Sequence, residues 1–384
     1  MRACQKGLNL VETAEFLVIG GGIAGACAAD ALSPLGRVIL AERETAYGYH
    51  TTGRSAALYT PTYGNAVIRA ITAASRDFFY NPPDGFSDHP LVSRRPTLTF
   101  ALPEDWQALQ DLLPDYHRTS PEIELTDEKG ALELAPILRP GRIAGGLIDP
   151  VTADIDVNGI HQGFLKRARR QGAVTKLDSE ILSAVKTSAG FRVETKSGTI
   201  EVANIVNAAG AWGDKIAELF GVKPVGLVPK RRSAFTFAGP AGADLTHWPV
   251  VMEGMDRFYI KPDAGMLLGS PCDATPSEPM DAWPEDMDVA EGVERIEEAT
   301  TLSITRLAHS WAGLRTFAPD NSPVVGMAPD CPSFIWFVGQ GGYGIQSAPG
   351  MGRVLHGLIQ DGTIPADIAA LGVKKDDLAA DRFA

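Results

Sequence analysis

Glu15-Phe16-Leu17-Val18-Ile19-Gly20-Gly21-Gly22-Ile23-Ala24-Gly25, with Arg37-Val38-Ile39-Leu40-Ala41-Glu42 after it, decides the fold. Residues 15–19 are a short apolar run, the pattern of a strand buried on both faces. A glycine turn follows, and Ile23 to Leu35 reads as a helix of small residues. Residues 37–41 then form a second strand. The glycines do different things. Gly20 allows the sharp turn, Gly22 lets backbone approach a pyrophosphate, and Gly25 lets the helix lie on the strand. The helix start, with Ala24 in its first turn, offers N–H groups to phosphates. Glu42 stands 22 residues after Gly20 at the end of the second strand, where an acid binds ribose hydroxyls. Arg43 follows it as a further cofactor candidate. A merely structural glycine turn competes with this reading, and the strand, helix and acid together weigh against it.

The fingerprint does not separate NAD from FAD. Three further stretches bear on that. Residues 49–57, Tyr-His-Thr-Thr-Gly-Arg-Ser-Ala-Ala, are small and polar. Thr51, Thr52, Gly53, Arg54, Ser55, Ala56 and Ala57 suit a loop laid against a flat heteroaromatic ring. Residues 205–212 run from a strand into Ala209-Gly210, where small residues permit close backbone approach. Gly341, Gly342, Tyr343, Gly344, Ile345 and Gln346 open the last long helix, whose positive end suits the electron-rich edge of a reduced flavin. Taken singly, each stretch also fits an ordinary loop, strand end or turn.

At 384 residues and 45% hydrophobic, the chain exceeds what one core usually holds, so two domains are expected. Strands are read at 96–100, 143–148 and 336–339, and helices at 103–113, 127–135, 155–170 and 286–298. A hairpin is read at 191–195 and 199–202, and a separate strand at 203–208. Nucleotide-type pieces stand at both ends, so the fold class is α/β with an α+β second domain. A Rossmann-like domain (1–88, 152–224, 313–384) is interleaved with a strand-rich one (89–151, 225–312). The net charge of −12 excludes the basic face of a nucleic-acid binder. The basic run Lys166–Arg170 reads as a solvated helix face. Residues 1–14 read as a loose leader without a signal-peptide core, and no apolar run reaches membrane-spanning length. Cys4, Cys27, Cys272 and Cys331 make no metal or CxxC spacing, which points to reduced thiols in a cytoplasmic protein. Peripheral contact with an inner-membrane electron carrier stays open.

With these stretches in view, the chain resembles the D-amino acid oxidase superfamily, and within it the bacterial D-arginine dehydrogenase type. The likeness runs from Glu15 to Gly372. It rests on GGGIAG at 20–25, YHTTGRSAALYT at 49–60, TAASRDFF at 72–79, NAAGAW at 207–212, PKRRSAF at 229–235, FYIKPDAGMLLGSP at 258–271, WAGLR at 311–315 and QGGYGIQ at 340–346. It implies a Rossmann-like FAD domain against a substrate domain built on an antiparallel sheet. It also implies non-covalent FAD, since Cys331 does not sit in the pattern of covalently linked relatives. The implied reaction passes the α-hydrogen of an amino acid as hydride to flavin N5, and water then converts the imino acid to a 2-oxo acid and ammonia. Positioning provides much of such a rate.

Arg315 is the candidate carboxylate clamp, because a guanidinium grips both oxygens. Arg232 is a second cation candidate, and strand alternation puts it on one face with Lys230. Tyr63 and Tyr259 match family positions whose hydroxyls contact substrate, and the carbonyl of Gly342 suits the substrate amine. Two substrate-pocket positions depart from the pattern: Thr97 stands where the relatives carry a glutamate that pairs with a substrate guanidinium, and Leu58 where they carry a histidine. A lost partner in a buried charge pair costs about 2–5 kcal/mol, so neutral or apolar D-amino acids are expected over D-Arg and D-Lys. Oxygen or a quinone remains open as acceptor. Glycine, sarcosine or a 2-hydroxy acid are alternative substrates, and an FAD-binding accessory subunit or an NAD-dependent dehydrogenase are alternative classes.

Overall fold

The computed structural model describes residues 11–383. Cys4 and residues 1–10 of the expected leader lie outside the described residues. Residues 12–14 of that leader belong instead to the first strand, Glu12–Ile19.

Glu12–Ile19 is central to the first sheet. It pairs in parallel with Val38–Ala41 on one side and with Gly198–Asn207 on the other. Val174–Lys176 and Cys331–Val338 extend the parallel part at its two edges. Phe16 to Ile19 are all buried because both faces of this sheet are covered. Alternation divides the core: Val18, Leu40, Val206 and Phe337 pack under the helices Ile23–Leu32, Ala66–Tyr80, Val157–Arg170 and Gly344–Gln360. Leu17, Ile39, Ile205 and Trp336 face the opposite side with Phe191 and Phe220.

The hairpin at 191–195 and 199–202 and the strand at 203–208 are not separate units. Gly198–Asn207 is one continuous strand whose first half pairs antiparallel with Gly190–Thr195 and whose second half joins the parallel core. The helix Ala66–Tyr80 has no counterpart among the elements read from sequence; Asn65 caps it by accepting from Ile68 N at 3.0 Å. Val157–Arg170 opens on Asp156, which accepts from Gly159 N. Its basic end is not simply solvated, since Arg167 forms a bidentate pair with the buried Asp30. The helix expected at 103–113 is shorter, Trp106–Asp111, with Leu113–Tyr116 a separate turn opened by Pro114.

The second sheet runs in the order Leu307–Phe317, Val228–Phe237, Met266–Ser270, Tyr259–Asp263, Val250–Glu253, Thr97–Ala101, Gly145–Asp149, Glu124–Asp127. It is antiparallel as the resemblance implies, save that Val250–Glu253 and Thr97–Ala101 run parallel. The acidic helix Asp286–Ala299 packs on it, with Val289 and Ile296 against Phe235, Phe237 and Leu267. Leu307–Phe317 crosses the 312/313 division. Among the described residues, no helix is long and apolar enough to cross a membrane.

Gly25 holds the first helix against the first strand. A Cβ there would stand 1.7 Å from the Gly20 carbonyl oxygen, which is backbone and has nowhere to go. Gly25→Ala is expected to destabilise the fold by about 3 kcal/mol or more, read as a fall in the thermal unfolding midpoint. An unchanged midpoint would mean that the helix shifts freely on the sheet.

Candidate functional site

A cleft runs between the two sheets, from the first glycine turn to the start of the helix Gly344–Gln360. Its first end is built by the fingerprint. Gly20 has φ +105°, a value that L side chains rarely adopt. Gly22 opens the helix without a side-chain cap bond of its own, and Thr52 Oγ1 accepts from Ile23 N at 3.0 Å. Glu42 is buried; its Oε2 accepts from Gly21 N at 2.5 Å and its Oε1 from Glu44 N at 2.8 Å. A carboxylate has about four lone-pair sites, so capacity remains for ligand hydroxyls. Arg43 lies 4.0 Å over the Trp212 ring, and its Nε donates to Glu44 at 2.8 Å. His50 meets the same carboxylate at 2.9 Å. Burial opposes the charge on Glu44, but His50 and Arg43 hold its carboxyl below the usual value.

The middle is the turn Thr51–Arg54 and the loop after it. Thr51 Oγ1 donates to the Leu314 carbonyl at 2.8 Å. Arg54 Nη1 donates to the carbonyls of Ala282 and Ala312, both at 2.9 Å, and its Nη2 pairs with Asp281. Trp311 Nε1 donates back to the Arg54 carbonyl at 3.2 Å. Thus Arg54, a cofactor candidate by sequence, lines the cleft but spends its donors joining the loop to the second sheet. Lys261, only 3% exposed, donates to the Ala56 carbonyl at 3.0 Å and to Asp154 at 2.7 Å. Asp154 also pairs with Arg95.

The far end holds the cations. Val228–Phe237 and Leu307–Phe317 pair so that Lys230 faces Arg315 and Arg232 faces Gly313. Directly opposed residues share a sheet face, so Lys230, Arg232 and Arg315 lie on one face. Arg231 is on the other, paired with Glu285 and Asp288 at 2.8 Å each. Arg315 Nη1 donates to the Tyr63 hydroxyl at 3.0 Å. A Cβ on Gly342 would stand 2.8 Å from Arg315 Nε, so the guanidinium rests on bare backbone. Gly341, at φ +54°, donates to the Thr316 carbonyl at 2.9 Å, and Tyr343 begins the helix without a side-chain cap. Burial pushes the Tyr259 and Tyr343 hydroxyls and the Cys272 thiol up to about 12, so all three stay protonated near neutrality. Burial opposes the charge on Arg315, while Tyr63, Tyr259, Cys272 and Asp256 favour it, and the guanidinium stays charged.

The cleft therefore gathers Gly20, Gly22, Ala24, Glu42, Arg43, Thr51, Thr52, Arg54, Ser55, Ala56, Ala209, Gly210, Arg232, Tyr259, Arg315, Gly341, Gly342, Gly344 and Ile345 along its lining. Gly25, Gly53 and Ala57 stand just outside it. Gly25 and Gly53 permit close backbone contacts, and Ala57 turns the loop at φ +59°. Tyr63 and Tyr343 stand behind Arg315, edge to face at 5.0 Å. Three candidates are not brought to the cleft. Thr97 is 2% exposed and donates to Thr152 at 3.0 Å. Leu58 pairs with Asp154 in a short strand. Gln346 turns inward, accepting from Thr60 N at 3.0 Å and donating to Thr72 at 3.3 Å. Sequence patterns gave no role to Trp212, Thr316, Lys261 or Asp256. Lysine inside an apolar strand was the one available signal, because a buried ammonium needs a partner.

The cleft is dressed for a dinucleotide. A helix start and an acid stand at one end, a planar Arg–Trp pair stands beside them, and a second helix start stands at the other end. Among the described residues no cysteine lines it, and Cys331 is buried in its own strand.

Residues 15–358 match the family described as DAO, FAD dependent oxidoreductase. The chain is 25% identical over 388 residues to human mitochondrial dimethylglycine dehydrogenase, covering 94% of this chain and 44% of that one. It thus spans less than half the length of that relative. Among solved structures it is similar to L-proline dehydrogenase from P. horikoshii, with TM-score 0.78, 21% identity and coverage of 93% of this chain and 96% of that one. Glycine oxidase from Geobacillus kaustophilus gives 0.78, 19%, and 95% and 99%. The FAD-bound L-α-glycerophosphate oxidase from Mycoplasma pneumoniae gives 0.80, 20%, and 91% and 95%. At these identities the structures speak for the fold.

Two variants test the construction. Gly342→Ala is expected to push Arg315 aside and weaken binding of a simple carboxylate, followed by flavin absorbance, by about tenfold or more; unchanged binding would show that Arg315 does not depend on the bare backbone. Lys261→Met leaves the Ala56 carbonyl unmet and Asp154 with Arg95 alone, and is expected to cost about 1–3 kcal/mol in chemical denaturation. A loss under about 1 kcal/mol would contradict the buried pair.

Proposed function

The chain belongs to the DAO family of FAD dependent oxidoreductases, and from that premise we propose that it oxidises the α-carbon of amino acids, D-amino acids in particular, to imino acids that water converts to 2-oxo acids and ammonia. One observation carries the proposal: Arg315, backed by Tyr63 at 3.0 Å and seated on Gly342, lines the same cleft as the fingerprint. A pure electron carrier has no use for a carboxylate clamp there. The D configuration rests on the motif likeness at 49–60 and 311–315.

When bound, FAD supplies the two-electron acceptor. The protein's own part is positioning. Arg315 grips the substrate carboxylate, with the protonated Tyr259 hydroxyl as a further donor. The Gly342 carbonyl, beside that guanidinium, receives the amine. Gripped at both groups, the α C–H has one direction to face. As the α-hydrogen leaves with two electrons, the amine nitrogen forms the C=N bond and its excess proton passes to water. Among the described residues no histidine lines the cleft at the Arg315 end, and Tyr259 and Tyr343 stay neutral, which fits loss of the amine proton to water.

Thr97 is buried and is not part of the cleft lining. The acids near the cleft bear on side-chain preference instead. Glu42 and Glu180 line the cleft at the nucleotide end, and Asp256 is engaged by Arg232 at 3.5 Å. Among the described residues no acid lines the cleft at the Arg315 end, and Asp256 faces Arg232, so neutral side chains are preferred over D-Arg and D-Lys. A second reading is glycine or an N-substituted glycine, favoured by the similarity to dimethylglycine dehydrogenase and glycine oxidase; the same clamp would hold them.

The test is anaerobic mixing of the FAD-loaded protein with D-Leu, D-Met, D-Arg, glycine, sarcosine and the L-isomers, following loss of flavin absorbance. Fast bleaching by D-Leu and D-Met, slow bleaching by D-Arg and none by L-isomers is expected. If glycine or sarcosine bleaches fastest, the second reading holds. Bleaching by dithionite but by no amine would overturn amine oxidation.

A further inference from the structure

Residues 60–64 carry Tyr63, whose hydroxyl accepts from Arg315 at 3.0 Å, so the place of this loop decides what backs the guanidinium. The loop is held from both domains. On one side Gln346, in the helix Gly344–Gln360, accepts from Thr60 N at 3.0 Å. The other side is held by the stretch that precedes the strand Glu124–Asp127. Thr119 Oγ1 donates to the Pro61 carbonyl at 3.0 Å. Arg69 donates to the Gly64 carbonyl at 2.7 Å and pairs with Asp115. Next to that stretch lies Asp149, at the end of the strand Gly145–Asp149 and only 3% exposed. Its Oδ1 accepts from Ser120 Oγ at 2.9 Å and from Val151 N at 3.2 Å, whereas its Oδ2 is buried without a hydrogen-bond partner. Folded proteins rarely leave such an atom unmet without a use for it. Burial raises the pKa of this carboxyl, the Ser120 hydroxyl, the Val151 N–H and the Thr62 hydroxyl pull it back, and Glu122 adds to the rise. Thr62 thus meets a carboxyl of the second sheet while its neighbour Tyr63 meets Arg315.

We propose that Asp149 is a positioning residue for the carboxylate clamp: its open oxygen takes the Thr62 hydroxyl, which pins residues 60–64 so that Tyr63 reaches Arg315. A hydroxyl both donates and accepts, so the contact serves the carboxyl with or without its proton. Ser120 fixes the carboxyl in turn, and its neighbour Thr119 fixes Pro61, so adjacent residues of one stretch lock the loop to the second domain. Asp149 is not part of the cleft lining and acts on substrate only through Thr62 and Tyr63. What the clamp binds rests on the amino-acid reading above.

Benzoate binding to the FAD-loaded protein, followed by flavin absorbance, reads the clamp without turnover. Asp149→Ala should raise the benzoate Kd by about tenfold, the size of a lost hydrogen bond to a charged group. Asp149→Asn keeps one oxygen for Ser120 and turns an amide to Thr62, so its Kd should rise by about threefold or less. Thr62→Val, which leaves Asp149 in place, should match Asp149→Ala and carries the test where that variant does not fold. In a Tyr63→Phe background neither Asp149→Ala nor Thr62→Val should add a further loss, because all three act through one hydroxyl. A merely structural role would lower the unfolding midpoint and leave Kd unchanged, or give losses that add to that of Tyr63→Phe; either result overturns the proposal. If benzoate binds the wild type and the variants alike, the clamp stands and Asp149 alone falls. If the wild type binds no benzoate, the clamp reading fails and this inference with it.

Discussion

The register of Val228–Phe237 against Leu307–Phe317 is the constraint on which the site depends. Side chains alternate along a strand, so a slip of one residue in either strand turns its whole set to the other face. A slip of the second would put Leu314 and Thr316 where Gly313 and Arg315 now stand. A slip of the first would present Arg231, with its partners Glu285 and Asp288, in place of Arg232. The strands are long, and their pairing extends from Val228–Phe317 to Phe237–Leu307. The loop at 51–54 fastens onto the same strand through Leu314, Ala312 and Trp311, so the register also places the middle of the cleft.

Three cations in this region, Lys261 buried and Arg315 and Arg232 partly so, are settled in three different ways. Lys261 has a carboxylate and a carbonyl within hydrogen-bond reach, and its desolvation is offset within the protein. That makes it a strut, holding the Ala56 backbone at the cleft wall. Arg315 has a neutral hydroxyl for a partner and keeps its charge for something else. Arg232 has only a distant carboxylate. The gradient from satisfied to unsatisfied runs from scaffold to ligand site, as expected where polar groups are held ready for a partner that the protein does not itself contain.

Local patterns carried the nucleotide end in the sequence. Gly20, Gly22, Gly25 and Glu42 act within one strand–turn–helix–strand unit, where spacing alone constrains geometry. The alternation of Lys230, Arg231 and Arg232 was legible for the same reason, since period two is a local property. The failures are tertiary. Thr97 stands at the start of a strand that pairs with Gly145–Asp149, and its hydroxyl turns to Thr152, 55 residues away in sequence. Gln346 follows a turn of the cleft but rotates inward to Thr60 and Thr72 because the helix Ala66–Tyr80 packs beside it. That helix itself went unread, though Asn65 supplies its cap. Asp256 sits on a turn, and nothing in its neighbours announces Arg232, 24 residues back.

The central claim is that Arg315 is aimed at a substrate carboxylate beside the flavin. A crystal structure of the FAD complex with benzoate, a carboxylate that has no α-hydrogen to lose, tests it most directly. The account predicts both carboxylate oxygens within about 2.7–3.2 Å of the Arg315 guanidinium, with Tyr63 still behind it. A benzoate bound elsewhere, or an Arg315 covered by the cofactor, would contradict it.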